Sequence, residues 1–510
     1  MYTIAGFQVN DAQTIDQHVN QLKKYFIIRG GEERQETWKL SDTFDWRLYN
    51  RNLILKRIHH HLALVSLDNS KFDIRQSIQK DIRYVWDLPD GKLKQQLWSI
   101  LEERALLDIV VDDVRVKTIV VLNELGKTVT RLSIHRFQPK MNITALPESY
   151  ILVHALQGYK DESDQIVDQL KTQGLHQLTS SLYAYRLRNS DREPGLYSTK
   201  VNVSLSDDLP SVEAMRRIFQ FLLQIMKENK QGIIEDIDTE FLHDFRVSLR
   251  RTRAGLSQVK GLYNDPLTRH FKDQLKKLQQ LSNRLRDLDV YLLSKKEFAR
   301  MLVPDLRPYI DHLFGRLTAE REAEYQRVMH LLQSDEYQNI LTTWEQFVNK
   351  EYTVEELGIN AGKPCKTLAM ERIYKSYRKI IKMGKRITDD TPDADIHQLR
   401  IDCKKLRYLM EFFYSLFPQK EMNALSKHVK KLQDYLGKYN DYSVQQTFLK
   451  KYLDEHHDRS KTSYYTAAII GGLLEHLYHE QKTLRSAFHS IFRDFSDKSY
   501  QKQFNRLFKL

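Results

Sequence analysis

Up to about residue 207 the chain alternates short apolar runs with turn formers. Tyr2–Val9, Leu53–Ile58, Leu62–Leu67, Val116–Leu122, Thr128–His135 and Lys200–Leu205 are rich in Val, Ile, Leu and Thr, the pattern of strands. Between them Thr14–Tyr25, Lys92–Arg104 and Asp161–Gln173 place apolar residues at helical spacing. Residues 1–207 are therefore expected to form an α+β domain with a largely antiparallel sheet. After Leu209–Pro210 the strand pattern stops. From Val212 to Leu510 the helical period runs almost unbroken, interrupted at Asn264–Pro266, Asn360–Pro364, Asp389–Asp395 and Phe417–Pro418. Residues 211–510 are expected to be all-α.

The helical part repeats itself. A shift of about 154 positions carries His243-Asp-Phe-Arg246-Val-Ser-Leu-Arg250-Arg251-Thr-Arg253 onto His397-Gln-Leu-Arg400-Ile-Asp-Cys-Lys404-Lys405-Leu-Arg407 without a gap. The same register carries Lys276-Lys277-Leu278-Gln279 onto Lys430-Lys431-Leu432-Gln433, and Asp287 and Val290 onto Asp441 and Val444. With one further residue of offset, Ala214–Ile218 matches Ala369–Ile373. Chance rarely holds one register over so long a span. Two homologous helical units are expected, about 211–365 and 366–510, packed about a pseudo-twofold axis.

The repeated segment carries the candidate chemistry. Each residue turns a helix by about 100°, so Arg246, Arg250 and Arg253 fall within about 80° of His243 on one side. Phe245, Leu249, Leu256 and Val259 take the neighbouring, buried stripe. In the second unit His397, Arg400, Lys404 and Arg407 form the same basic stripe beside Leu399, Cys403, Met410 and Phe413. Such cations repel one another, and their own helix offers few acids. A multivalent anion lying across them reverses that frustration: Arg offers a fork to phosphate oxygens, and Lys adds a point charge. A basic stripe is more commonly a solvated face or is paired with acids on a neighbouring helix. Its duplication argues for a ligand, although a duplicated packing device leaves the same trace. Adjacent lysines diverge by about 100°, so at most one of each pair, Lys276-Lys277 or Lys430-Lys431, can easily face a shared groove. Asp287 and Asp441 are expected to orient the basic residues rather than to hold metal.

Composition narrows the partner only to a class. The 510 residues carry a formal net charge of +13, which favours an anionic partner: nucleic acid, an acidic membrane or a phosphate polymer. Cys365 and Cys403 are the only cysteines, so neither a disulfide framework nor a cysteine zinc site is expected. The first residues lack the pattern of a secretory signal, and no run reaches the ~18 apolar residues that span a bilayer. A cytoplasmic protein without a membrane partner is the expectation.

His243–Arg253 and His397–Arg407, followed by Arg286-Asp287-Leu288-Asp289-Val290 and Asn440-Asp441-Tyr442-Ser443-Val444, resemble the CHAD domain, the conserved-histidine α-helical domain. The resemblance spans about 211–510. It implies two antiparallel helical bundles with a basic channel that binds inorganic polyphosphate. Carried over by position, the ligand-facing residues are His243, Arg246, Arg250, Arg251, Arg253, Lys276 and Lys277, with His397, Arg400, Lys404, Lys405, Arg407, Lys430 and Lys431. Association with polyphosphate granules follows as an expectation, and no cofactor is implied. Gly437 stands where the family has a Leu-Gly turn. Its counterpart is Asn283, which also tolerates a left-handed turn.

The N-terminal part resembles a divergent CYTH, or triphosphate-tunnel, domain through Asp42-Thr43-Phe44-Asp45-Trp46-Arg47-Leu48, Leu53-Ile54-Leu55-Lys56-Arg57 and the strand pair in Glu124–Ile134. The resemblance implies a tunnel- or barrel-like antiparallel sheet and metal-dependent triphosphate hydrolysis through a first-strand Glu-x-Glu-x-Lys. Here those positions are Tyr2, Ile4 and Gly6, without the carboxylates a hard cation requires. Neither catalytic residues nor a metal site are therefore expected. Asp42 and Asp45 read as turn caps. His59-His60-His61, read as a strand, puts His59 and His61 on one face, a weak metal signal. Binding of polyphosphate leads. A metal-dependent triphosphatase and a nucleic-acid binder are the alternatives, the latter disfavoured because no exposed aromatics interleave the stripe.

Overall fold

The computed structural model describes residues 2–9, 14–68, 73–138, 149–455 and 461–510. The chain folds as two compact units, Met1–Ser198 and Thr199–Leu510.

In the first unit, nine strands lie in one sheet among the described residues: β1 (Tyr2–Val9), β2 (Ile27–Asp42), β3 (Leu53–Ile58), β4 (His61–Ser66), β5 (Asp73–Ser77), β6 (Leu107–Leu122), β7 (Thr128–Phe137), β8 (Ser149–Ala155) and β9 (His176–Gln177). Their order is β5-β4-β3-β2-β6-β7-β8-β1-β9, and every pair is antiparallel. This sheet is compatible with a tunnel of the CYTH type. The β6–β7 hairpin closes where Asn123 Oδ1 accepts from the N–H groups of Leu125 and Lys127, and Gly126 takes a left-handed φ of 74°. Among the described residues, four α-helices accompany the sheet: α1 (Ile15–Leu22), α2 (Lys92–Leu101), α3 (Lys160–Thr172) and α4 (Leu182–Arg188). Phe7, Ile119, Leu132, Ile134 and Val153 bury one sheet face against Ile15 and Val19 of α1 and Ile166 and Leu170 of α3. Trp38, Val114, Phe137, Tyr150 and Leu152 form a second cluster with Leu182 of α4.

Departures from the expected strands have physical reasons. β2 was not expected: its middle reads Arg-Gly-Gly-Glu-Glu-Arg-Gln-Glu and is largely exposed, so no apolar alternation marks it. β8 buries both faces, and β5 and β9 are short and polar. The expected strand Lys200–Leu205 joins no sheet. It is extended chain pinned to the helical unit: Ser415 Oγ donates to Val203 O (2.9 Å) and accepts from Leu205 N (3.2 Å), and Arg251 Nη1 donates to Thr199 O (2.6 Å). His59 and His60 form the turn between β3 and β4, with His59 at φ 48°, so the face argument for a strand does not apply to them.

The second unit contains α5 (Ser211–Ile234), α6 (Thr239–Gln258), α7 (Asp265–Leu281), α8 (Asn283–Leu293), α9 (Lys295–Met301), α10 (Ile310–Gln333), α11 (Asp335–Asn349), α12 (Cys365–Gly384), α13 (Asp393–Phe412), α14 (Gln419–Glu455), α15 (Lys461–Phe495) and α16 (Lys498–Phe508). The internal repeat maps α5 onto α12 and α6 onto α13. The α7–α8 pair maps onto the single long α14. Two equivalent positions differ from expectation here. Gly437 lies inside α14, and Asn283 opens α8 with no positive φ, so neither makes a left-handed turn. The α7–α8 break rests instead on Ser282, whose hydroxyl donates back to the carbonyls of Leu278 and Gln279 (both 3.1 Å). Among the described residues, no helix is long and apolar enough to cross a membrane.

Candidate functional site

The two helices that carry the motifs are each fixed by their apolar face. On α6, Phe245, Leu249 and Leu256 are buried; on α13, Leu399, Cys403 and Met410 are. The Asp238 side chain caps α6 by accepting from the N–H groups of Glu240 (2.9 Å) and Phe241 (3.3 Å). Asp393 and Asp395 place negative charge in the first turn of α13. The two helices pack against each other, which brings the stripes together.

Their convergence is written in the electrostatics. Burial pushes the Lys404 ammonium down to about 8, and Arg400 on its own helix and Arg250 from α6 push the same way. Burial lowers Arg246 to about 10, with Arg250 adding to the shift. Arg400 is lowered by burial and by Arg250, against the pull of Asp441. Arg250 thus acts on cations of both repeats. Repulsion between half-buried cations is the condition under which an added anion gains most.

The expected residues fall into three groups. Arg246 is buried and spends its fork on the α7–α8 junction: Nη1 donates to Gln279 O (2.9 Å) and Ser282 Oγ (2.7 Å), and Nη2 to Asn283 Oδ1 (2.8 Å). Arg253 donates to Gln279 Oε1 (2.5 Å), and Arg400 pairs with Asp441 at 3.3 Å. Asp287, the counterpart of Asp441, is raised by burial against the opposing pull of Arg246, Arg284 and Arg286. These groups are held in place by neutral acceptors or by single acids.

A second group is turned to other work. Arg251 binds Glu411 through Nη2 (2.8 Å) and Nε (3.1 Å), besides Thr199 O. Arg407 Nε lies 2.9 Å from the other oxygen of Glu411. Lys405 faces Asp402 at 3.4 Å, and Lys431 pairs with Asp494 at 3.2 Å. His397 Nδ1 is hydrogen-bonded to Asn440 Oδ1, while His243 is half-buried on its stripe.

The third group is open. Arg250 and Lys404 are half-buried and make no ion pair or hydrogen bond among the described residues. Lys276, Lys277 and Lys430 are exposed and likewise unpaired among the described residues. Nε atoms of Arg246, Arg250, Arg253 and Arg400 are buried and lack a hydrogen-bond acceptor among the described residues. Each such orphan costs about 1–3 kcal/mol.

Several residues were not picked out in advance. Gln279, Ser282 and Asn283 form the cradle of Arg246, and nothing in their type announces it. Glu411 was legible: it follows Arg407 by four positions, the spacing of an intrahelical ion pair. Arg284 and Arg286 flank the groove helices but are tied to Glu320 and to Glu240 (3.4 Å), respectively.

In the sheet unit, Asp42 is buried and accepts from the N–H groups of Thr43 (2.7 Å), Leu48 (2.9 Å) and Tyr49 (2.8 Å), which makes it a turn cap. Asp45 accepts from Thr43 Oγ1 (2.7 Å) and Arg47 Nε (2.9 Å). Lys56 Nζ sits 3.2 Å from the Trp38 ring centre and 3.2 Å from Tyr183 Oη, and burial pushes it down to about 7. No group of three or more His, Cys, Asp or Glu residues is placed to hold a metal ion among the described residues.

Residues 217–450 match the family model of the CHAD domain. The crystal structure of the CHAD domain from the plant Ricinus communis is similar over 59% of this chain and 96% of its own, at 20% identity and a TM-score of 0.48. PptA from Streptomyces chartreusis is similar over 56% of this chain and 99% of its own, at 16% identity and a TM-score of 0.39. No curated protein matches the chain.

Proposed function

We propose that this chain, whose residues 217–450 match the CHAD domain model, grips inorganic polyphosphate between α6 and α13. The observation that carries the reading is the pair Arg250 and Lys404, half-buried cations from equivalent positions that repel each other and make no ion pair among the described residues, with Asp441 offsetting Lys404 only in part. A phosphate seated between them relieves the repulsion and accepts hydrogen bonds from Arg250 and its neighbours. Arg246, Arg253 and Arg400, already held by side-chain and backbone acceptors, add their positive charge around that seat. Lys276, Lys277 and Lys430 extend the positive field along the surface and help draw a polyanion in. Granule association follows from the same chemistry.

The sheet unit is proposed to be a scaffold without triphosphatase activity, because Tyr2, Ile4 and Gly6 stand where metal-binding Glu and a Lys would be needed. Phosphate release from tripolyphosphate with Mg²⁺ or Mn²⁺ would overturn that part.

Calorimetric titration with long-chain polyphosphate tests the binding. Submicromolar affinity at low salt is expected, with DNA and RNA displaced by polyphosphate far more readily than the reverse. Absence of heat and of retention on a filter at low salt would refute it, and preference for nucleic acid would reassign the groove.

A further inference from the structure

We infer that Glu411 sets the minimum charge a ligand must carry to occupy the groove, its carboxylate standing where a ligand phosphate would otherwise bridge Arg251 and Arg407. The inference rests on the polyanion reading of that groove. Set His397 at zero on α13, and Glu411 falls about 40° from it, inside the basic stripe, among Arg400, Lys404 and Arg407. It is an acid placed within the cationic row.

The contacts show what it does there. One oxygen takes the fork of Arg251 from α6, at 2.8 and 3.1 Å, and the other lies 2.9 Å from Arg407 Nε on α13. A single carboxylate therefore spans cations from both repeats, as a bridging phosphate would. The device is one-sided. In the first repeat the equivalent position is Ser257, and Lys405, the counterpart of Arg251, is answered from its own helix by Asp402. Asp287 and Asp441 occur in both repeats, so they belong to the shared architecture; Glu411 does not.

The carboxylate is tethered, so a competing anion meets it at high effective concentration. A short phosphate that fills the Arg250–Lys404 seat has no further charge with which to displace it. A long chain does, because successive phosphates follow the first without a new loss of translational freedom. Glu411 thereby favours long chains over short ones.

The test uses the full chain carrying Glu411→Gln, titrated with pyrophosphate, tripolyphosphate and long-chain polyphosphate. Tripolyphosphate affinity is expected to rise about tenfold, the size of one charge-assisted hydrogen bond. Long-chain affinity should rise less, so the ratio between the two should fall. Ser257→Glu, which adds an acid at the equivalent position of α6, should move the ratio the other way; it keeps the test open if Glu411→Gln folds poorly. An unchanged ratio in folded variants, or weaker binding of both ligands, would make Glu411 a brace between the helices and end the inference. If the unaltered protein binds no polyphosphate at all, the proposed function fails first, which that arm alone reveals.

Discussion

In the sheet unit, Arg186 is buried against Asp112 through two hydrogen bonds of 2.9 and 2.7 Å, and Asp42 is buried with three backbone N–H groups aimed at it. In the helical unit, Arg250 and Lys404 are half-buried and their side chains make neither an ion pair nor a hydrogen bond among the described residues. Buried charge that is closed on its own partners holds a fold together. Charge left without a partner, beside guanidinium donors without acceptors, is what the proposed polyanion would neutralise. The contrast separates groups that look alike in the sequence, since both units are rich in arginine and aspartate.

The contrast can be broken at its closed end first. Asp112→Ala leaves Arg186 buried without its counter-ion and should destabilise the sheet unit by about 3–5 kcal/mol in chemical denaturation. Polyphosphate affinity of the folded variant should stay within about twofold, because no groove cation is touched. At the open end, Arg250→Glu combined with Lys404→Glu should lower polyphosphate affinity by at least about a hundredfold, two charge-assisted contacts turned to repulsion. The helical content seen by circular dichroism should not change.

Proton linkage sharpens the same point. Lys404 is depressed to about 8 in the free protein, and a phosphate beside it favours the charged form and raises that value. Binding therefore takes up a proton above about pH 8. Affinity should be complete below that pH and fall as pH rises from about 8 towards 10, and Lys404→Arg should flatten the fall because the guanidinium stays charged. The smallest effect belongs to Lys430→Ala: an exposed lysine without an ion pair among the described residues should cost no more than about threefold in affinity.

How much of this was legible follows from what each signal depends on. The register between His243–Arg253 and His397–Arg407 needs only sequence, and the helical period places both motifs on one face, so α6 and α13 were readable. Arg251 and Lys405 carry the same motif but point about 100° away from Arg250 and Lys404; the i,i+3 spacing of Asp402 and Lys405 is readable in the sequence, whereas only packing shows that Glu411 receives Arg251. The strand-like run Lys200–Leu205 misled because Val and Leu at alternate positions also suit extended chain lying on helices. β2 was silent because its middle faces water on most positions. The expected turn at Gly437 failed since a glycine can ride inside a long helix when tertiary packing on both sides holds it.

The central claim is that the groove between α6 and α13 binds through charge that the fold leaves open. The most direct measurement is the salt dependence of long-chain polyphosphate affinity for the unaltered protein and for the Arg250→Glu, Lys404→Glu variant. The unaltered protein should bind with submicromolar affinity at low salt, log affinity falling linearly with log salt, and the variant should bind weakly with a much shallower slope. Equal slopes and affinities for the two proteins, or no binding by the unaltered protein at low salt, would contradict the account.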